Sequence, residues 1–363
     1  MYTILKTDFA GNTGDNLILE SLKDLIISIK GKTNFLEIDR NVDLSDRISL
    51  INKTKCILMP GFAIRDPLYP QIYTLTKNLY SIKVPLIPIG AGWKGFPGDF
   101  KTVNETRYSE RTVSFLKHIS KKIEKFYCRE NYTCKVLQNN GIDNTLMVGD
   151  CAWYNSNKLR KRVNPNKEVK NIVFTTPHMA IFKHQSLSIL KFLESFFPNA
   201  TKYLCLQGGK NYPTDLDKYL SYMGKKMGFI IKDVSGTCKK IKFYENCDLH
   251  IGYRVHGHLA FLRNRIPSIL INEDGRGIGF SKTLDHAGFD GFKRSNNLIF
   301  NLINNKSLTK FSKIGFVDMS ISKTIEKFLV SELNNKFNSY NKVFEFIDYI
   351  YEQRMKPAIQ SIP

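Results

Sequence analysis

Arg254, His256 and His258 fall within the seven residues Gly252-Tyr-Arg-Val-His-Gly-His258. An arginine fork suits a pair of anionic oxygens, and an imidazole can move a proton near neutral pH. The segment follows an apolar strand read at 249–251 and opens a helix read at 256–263. In open α/β sheets, ligands bind just beyond the carboxyl ends of strands. The next strand, read at 268–271, runs into Asn272-Glu-Asp-Gly-Arg276-Gly-Ile-Gly-Phe280. Arg276 sits there in a Gly-rich turn on the same sheet edge as Arg254. Two guanidiniums facing one cleft suit a small molecule with two anionic groups.

The N-terminal half offers weaker candidates. Asp8-Phe-Ala-Gly11-Asn12-Thr-Gly14-Asp15 follows the first strand and opens the first helix, with Asp15 read as its N-cap. Its glycines allow close backbone approach, and the helix start can receive an anion. Neither the dinucleotide fingerprint nor the P-loop pattern is present. Gly90-Ala-Gly92-Trp93-Lys-Gly95-Phe-Pro-Gly98 ends another strand, and Trp93 there could stack on a sugar ring. Gln207-Gly-Gly-Lys210 reads foremost as an ordinary polar turn at a strand end. His118, His178, His184 and His250 have no recognisable partners and read as ordinary histidines.

The elements that must position these residues alternate along the chain. Strands are read at 2–6, 56–59, 85–89, 126–128 and 145–148, and helices at 16–29, 68–80, 111–122 and 130–140. Polar, basic and turn-rich residues 155–170 then interrupt the pattern, which marks a domain boundary. The alternation restarts with strands at 172–175, 203–206, 229–231, 249–251 and 268–271, and helices at 185–196, 215–227 and 256–263. Strands alternating with helices imply parallel sheets covered on both faces. The expected fold is α/β, with two doubly wound domains facing across a cleft. The first spans 1–154, a basic linker 155–170, the second 171–320, and a helical tail 321–363.

Bulk properties exclude several classes. No apolar run reaches 18 residues, so no membrane-spanning helix is expected. The first residues lack a leader pattern, which points to a cytoplasmic protein. Seven scattered cysteines and the absence of a His-Glu-x-x-His pattern predict reduced thiols and no metal site. The 54 Lys and Arg against 33 Asp and Glu give a net charge of +21. That excess favours anionic partners, including an anionic membrane surface touched peripherally. No nucleic-acid-binding module accompanies it, so nucleic acid is not an expected partner.

Taken in order, Gly11-Asn-Thr-Gly-Asp15, Arg254-Val-His256 and Asp274-Gly-Arg-Gly-Ile-Gly-Phe280 make the chain resemble the polysaccharide pyruvyl transferase family. Cys128-Arg-Glu130 and Asp150-Cys-Ala152 agree, over roughly positions 3 to 290; Cys151 departs from the family's usual proline. The resemblance implies two Rossmann-like domains in a GT-B-like arrangement. It implies transfer of pyruvate from phosphoenolpyruvate, with no further cofactor, to a sugar of a cell-surface polysaccharide or its lipid-linked precursor. The product is a cyclic ketal and phosphate. On that reading Arg254 and His256 are catalytic. Arg254, Arg276, His256 and His258 bind the donor, and Asn12, Asp15, Trp93 and Gln207 face the acceptor. Two other readings stand beside it: a nucleotide-sugar-dependent glycosyltransferase on the same scaffold, and a non-enzymatic binder of anionic glycans or lipid surfaces.

Overall fold

A computed structural model describes residues 1–7, 11–164, 168–208, 212–294 and 315–363. The first lobe opens with strand β1 (Tyr2–Lys6) and helix α1 (Thr13–Lys30), then β2 (Phe35–Asp39), a short α2 (Ile48–Ile51) and β3 (Ile57–Pro60). It continues through β4 (Ala63–Ile64), β5 (Leu86–Ile89), β6 (Gly92–Trp93), α3 (Phe100–Glu105), α4 (Glu110–Ser120), β7 (Phe126–Cys128), α5 (Asn131–Gln138) and β8 (Thr145–Met147). The parallel sheet runs β2-β1-β3-β5. A bridge between Ala91 and Cys128 carries it on to the parallel pair β7-β8. The sheet order therefore reverses between β1 and β3.

Apolar side chains on one face of α1 hold it to this sheet: Leu17, Leu22, Leu25 and Ile26 are all buried. Each fully buried residue of this kind contributes about 1.5–3 kcal/mol. Helix α1 begins earlier than its apolar stripe suggests. Asn12, not Asp15, is the N-cap: it has extended backbone and its Oδ1 accepts from Gly14 N–H at 3.0 Å. Asp15 lies in the first turn, where its carboxylate accepts from Asn12 Nδ2 at 2.7 Å.

The helix expected over 68–80 does not form; only Leu79–Ser81 makes a 3-10 turn. Pro70 lacks a donor and restricts Tyr69 before it. The buried Leu68, Tyr73 and Leu75 serve the core from an irregular segment instead. Strand β2 was missed from sequence, and it forms the sheet edge beside β1.

The second lobe contains β9 (Asn171–Thr175), α6 (Lys183–Phe196), β10 (Thr201–Leu206), α7 (Asp215–Lys226), β11 (Ile230–Asp233), β12 (Leu249–Gly252), α8 (Val255–Arg263), β13 (Ser268–Asn272), α9 (Gly275–Leu284) and β14 (Gly288–Asp290). Its parallel sheet runs β11-β10-β9-β12-β13-β14. This is the Rossmann order 3-2-1-4-5-6, with its switch point between β9 and β12. Beyond it, β15 (Phe292–Arg294) pairs antiparallel with β16 (Gly315–Val317). The tail forms helices Ile321–Asn334 and Tyr340–Ile350, a π turn at Tyr351–Met355 and a last helix, Lys356–Ser361. That last helix returns to the first lobe. Tyr2 Oη donates to Pro363 O at 2.9 Å, and Tyr127 Oη lies 2.8 Å from Ser361 Oγ.

The Gly-rich segment after β13 is the first turn of α9, capped by Asp274. Two of its glycines, Gly275 and Gly279, serve close packing between lobes. A Cβ on Gly279 would meet the Glu130 carboxyl carbon at 2.6 Å, and one on Gly275 would meet the Trp93 ring at 2.7 Å. Gly98 faces Gly275 from the first lobe, with φ +89 and a virtual Cβ 2.0 Å from the Gly275 Cα. Gly275 N–H donates to Gly95 O at 2.9 Å, and Arg294 forks onto Asp99 at 2.6 and 2.7 Å. We expect Gly98→Ala to destabilise the protein by about 1–3 kcal/mol through overpacking, more if the positive φ adds strain. A denaturant midpoint unchanged from the parent would contradict this contact.

Candidate active site

Both switch points open onto one small cavity of about 100 Å3 between the lobes. The first lobe contributes Asn12 and Asp15 from the start of α1, Arg40 from the end of β2, and Gly61, Ala63 and Arg65 from beyond β3. The second contributes His178 after β9, Gln207 after β10, Tyr253 to His256 after β12, and Glu273, Asp274, Arg276 and Gly277 after β13. Four guanidiniums thus surround a space suited to a small anion.

Arg254 is the N-cap of α8 and is 6% exposed. Its backbone N–H donates to Thr175 Oγ1 at 3.2 Å and its Nε to Thr176 O at 3.0 Å. These bonds anchor the guanidinium to the β9 side of the switch point, and its Nη1 meets the His178 ring. Arg276 is pinned by Asp274, with Nη2 donating to Oδ2 at 2.8 Å and Nε to Oδ1 at 3.0 Å. Burial lowers its affinity for a proton, but the Asp274 carboxylate reverses this and holds the guanidinium above its ordinary pKa. Helix α8 also starts at this cavity, and the N–H groups of a helix's first turn favour an anion.

His256 stands at the junction of the lobes. A Cβ on Gly14 would lie 2.2 Å from His256 Nδ1, so only glycine at α1 lets the ring approach. Among the described residues, its buried Nε2 has no hydrogen-bond partner. Burial lowers its pKa to about 3, helped by the cations Arg129, Arg276 and Arg254. The ring is therefore neutral at pH 7. Glu273 faces the opposite influence: burial raises its carboxyl to about 7 against the pull of Arg254. Its Oε1 accepts from the backbone N–H groups of His178, at 2.7 Å, and Met179, at 3.0 Å, fixing the loop after β9. Asp15 is raised by burial, while Arg40, Arg276 and Arg65 pull it down.

Six residues singled out from the sequence therefore meet: Arg254, Arg276, His256, Asn12, Asp15 and Gln207. Gln207 belongs to the same wall, its Nε2 donating to Tyr244 Oη at 3.1 Å. Lys210, at the end of its turn, lies outside the described residues.

Two residues do not join them. His258 lies in the interior of the second lobe, where its Nδ1 meets Ser268 Oγ at 2.7 Å. Successive residues turn by 100° on a helix, so two positions beyond His256 is nearly the opposite face. Trp93 is 1% exposed and packs against Gly95 and Gly275, so its faces are covered by protein and cannot stack on a sugar.

Conversely, sequence reading did not single out Arg40 or Arg65 and left His178 as an ordinary histidine. Arg40 follows β2, Arg65 follows β4 and His178 lies beyond β9, and their convergence is seen only once the strands are assembled.

A family model described as polysaccharide pyruvyl transferase matches residues 12–275. No curated protein matches the chain. Among solved structures, the chain is similar to HepE from Anabaena in complex with UDP and glucose. That pair is 10% identical, with 99% of each chain covered and a TM-score of 0.52. A glycosyltransferase from Rickettsia africae is 12% identical, with 100% of this chain and 99% of that one covered and a TM-score of 0.50. These likenesses establish the GT-B-type arrangement of two Rossmann-like lobes.

Proposed function

This chain belongs to the polysaccharide pyruvyl transferase family, and from that premise we propose that it moves pyruvate from phosphoenolpyruvate onto two hydroxyls of one sugar. The observation that carries the proposal is the small cavity ringed by Arg40, Arg65, Arg254 and Arg276, with the neutral His256 in its wall. Phosphoenolpyruvate has a carboxylate and a phosphate on three carbons, and it needs a compact set of forks to hold both. No metal or cofactor is required by this chemistry.

The reaction begins with a proton delivered to the methylene carbon C3, which becomes a methyl group and leaves C2 electron-poor. One sugar hydroxyl attacks C2 and gives up its proton. The C2–O bond to phosphate breaks, and phosphate leaves with that bonding pair and one proton. The second hydroxyl then attacks C2 and loses its proton, closing the ketal. Protons balance: two leave the hydroxyls, one ends on C3 and one on phosphate. His256 is the proton donor to C3, and Arg254 and Arg276 hold the carboxylate and phosphate. Asp15 and Asn12 orient the acceptor hydroxyls. The donor's negative charge offsets the arginines, so His256 takes up its proton as phosphoenolpyruvate binds.

A nucleotide-sugar donor is the less supported reading, because the family model that matches residues 12–275 is that of pyruvyl transferases. Carbon-13 NMR on phosphoenolpyruvate labelled at C2 tests the proposal. With a pool of glycan acceptors, the label should move to a ketal carbon as inorganic phosphate is released. Unchanged label in the presence of a glycan that accepts sugar from a nucleotide donor would refute it. Among the described residues, no helix is long and apolar enough to cross a membrane. The +21 charge supports peripheral contact with an anionic lipid surface at the cytoplasmic face, where lipid-linked acceptors would be met.

A further inference from the structure

Next to the donor cavity lies a larger one of about 630 Å3, also walled by both lobes. The two share Asn12 and Asp15, so they meet at the first turn of α1. There the His256 ring rests on Gly14, its buried Nε2 without a hydrogen-bond partner among the described residues. The larger volume lies within the range of about 300–1,000 Å3 seen for pockets that take organic ligands.

Its electrostatics are opposite to those of the donor cavity. Among the described residues, Asp15, Glu20, Glu37 and Asp39 line it, together with Lys6 and Lys240. Lys6 is already engaged, with its Nζ 3.9 Å from Glu37 and 3.7 Å from Asp39. Glu37 also pairs with Lys23, which in turn lies 2.9 Å from Glu20. The carboxylates are therefore held in place and offer oxygens to hydroxyl donors. In a chain of net charge +21, a cleft wall with excess negative charge is a local exception. It repels acidic groups, since like charges brought together cost several kcal/mol.

We propose that this larger cavity seats the acceptor and selects an uncharged sugar, excluding acidic ones such as uronic acids at the position that is modified. The inference rests on the pyruvyl-transfer reading above and adds the acceptor's chemical class and its route. The sugar's hydroxyls reach Asp15 from the acidic side, and phosphoenolpyruvate reaches His256 from the cationic side. The two substrates thus meet at the shared wall without competing for the same charges.

Saturation-transfer NMR on the full chain tests this, using the methyl glycosides of a neutral hexose, an N-acetylhexosamine and a hexuronic acid as probes. The neutral glycosides should bind and the hexuronide should not. Ser235→Trp, which fills the cavity from the second lobe, should weaken neutral binding at least about tenfold, the scale of a 1.4 kcal/mol loss. Asp39→Lys, at the end of β2, should narrow the preference or reverse it. Both variants should keep the parent's thermal response to phosphoenolpyruvate, which also shows that they fold. Equal or better binding of the hexuronide to the parent, no binding of any neutral glycoside, or full binding by Ser235→Trp would overturn the inference. If the parent itself ignores phosphoenolpyruvate, the pyruvyl-transfer reading fails, and this inference goes with it.

Discussion

Arg254→Ala should lose phosphoenolpyruvate binding by about 2–5 kcal/mol, roughly thirtyfold to several thousandfold, as read by isothermal titration. The side chain sits at the switch point, anchored by Thr175 and Thr176, with Nη1 on the His178 ring, and it lines the cavity. No neighbouring residue can replace a fork held in that geometry. Arg254→Lys should recover little, because an ammonium cannot bond two oxygens as a planar fork does. Folding should survive the change. Arg276 is a cation close to Arg254, so removing one relieves repulsion even as Glu273 loses an attractive partner. Near-parental affinity in a folded Arg254→Ala protein would mean that the donor is held elsewhere.

His256→Gln should lower turnover by about 10²–10⁴, the usual contribution of a positioned acid or base, while phosphoenolpyruvate still binds. Glutamine keeps polarity and approximate size but cannot deliver a proton. The pH behaviour separates this from a structural role. In the free protein, burial and the cations Arg129, Arg276 and Arg254 hold the imidazole at about 3. NMR should show it neutral from pH 5 to 8 and show a higher pKa once phosphoenolpyruvate is bound. The same shift has a stability consequence. The folded pKa lies below the unfolded value near 6.5, so the unfolded chain binds more protons between them. The neutral ring's contribution is full above pH 6.5 and is lost as pH falls toward 3. His256→Gln should flatten part of that acid-side loss. A variant with parental turnover would remove His256 from the chemistry.

Much of the chemistry was legible because Arg254-Val-His256 sits where an apolar strand gives way to a helix. Strand end, helix start and unusual residue types coincide there. Arg276 was legible for the same reason, although its glycines read as a loop rather than as packing surfaces of α9. Arg40 and Arg65 were hidden by composition. In a chain with 54 basic residues, two arginines stand out only once β2 and β3 are seen to flank β1. His178 looked ordinary because its partner, Arg254, is 76 residues away in sequence. His258 could have been set aside from helical geometry alone. The parallel α/β alternation was visible in the apolar runs. Strand β2 was not, because Glu37 and Asp39 break its apolar run at a sheet edge, where they face a cleft rather than a core.

The central claim is that this cationic cavity holds phosphoenolpyruvate. Its most direct test is a thermal-shift comparison of the protein with phosphoenolpyruvate and with uridine, guanosine and cytidine diphosphates. A ligand at a hundred times its dissociation constant adds about 2.7 kcal/mol of stability. The account predicts a rise in melting temperature with phosphoenolpyruvate and none with the nucleotides. A rise with a nucleoside diphosphate and none with phosphoenolpyruvate would contradict it, leaving the anion site correctly placed and the donor wrongly identified.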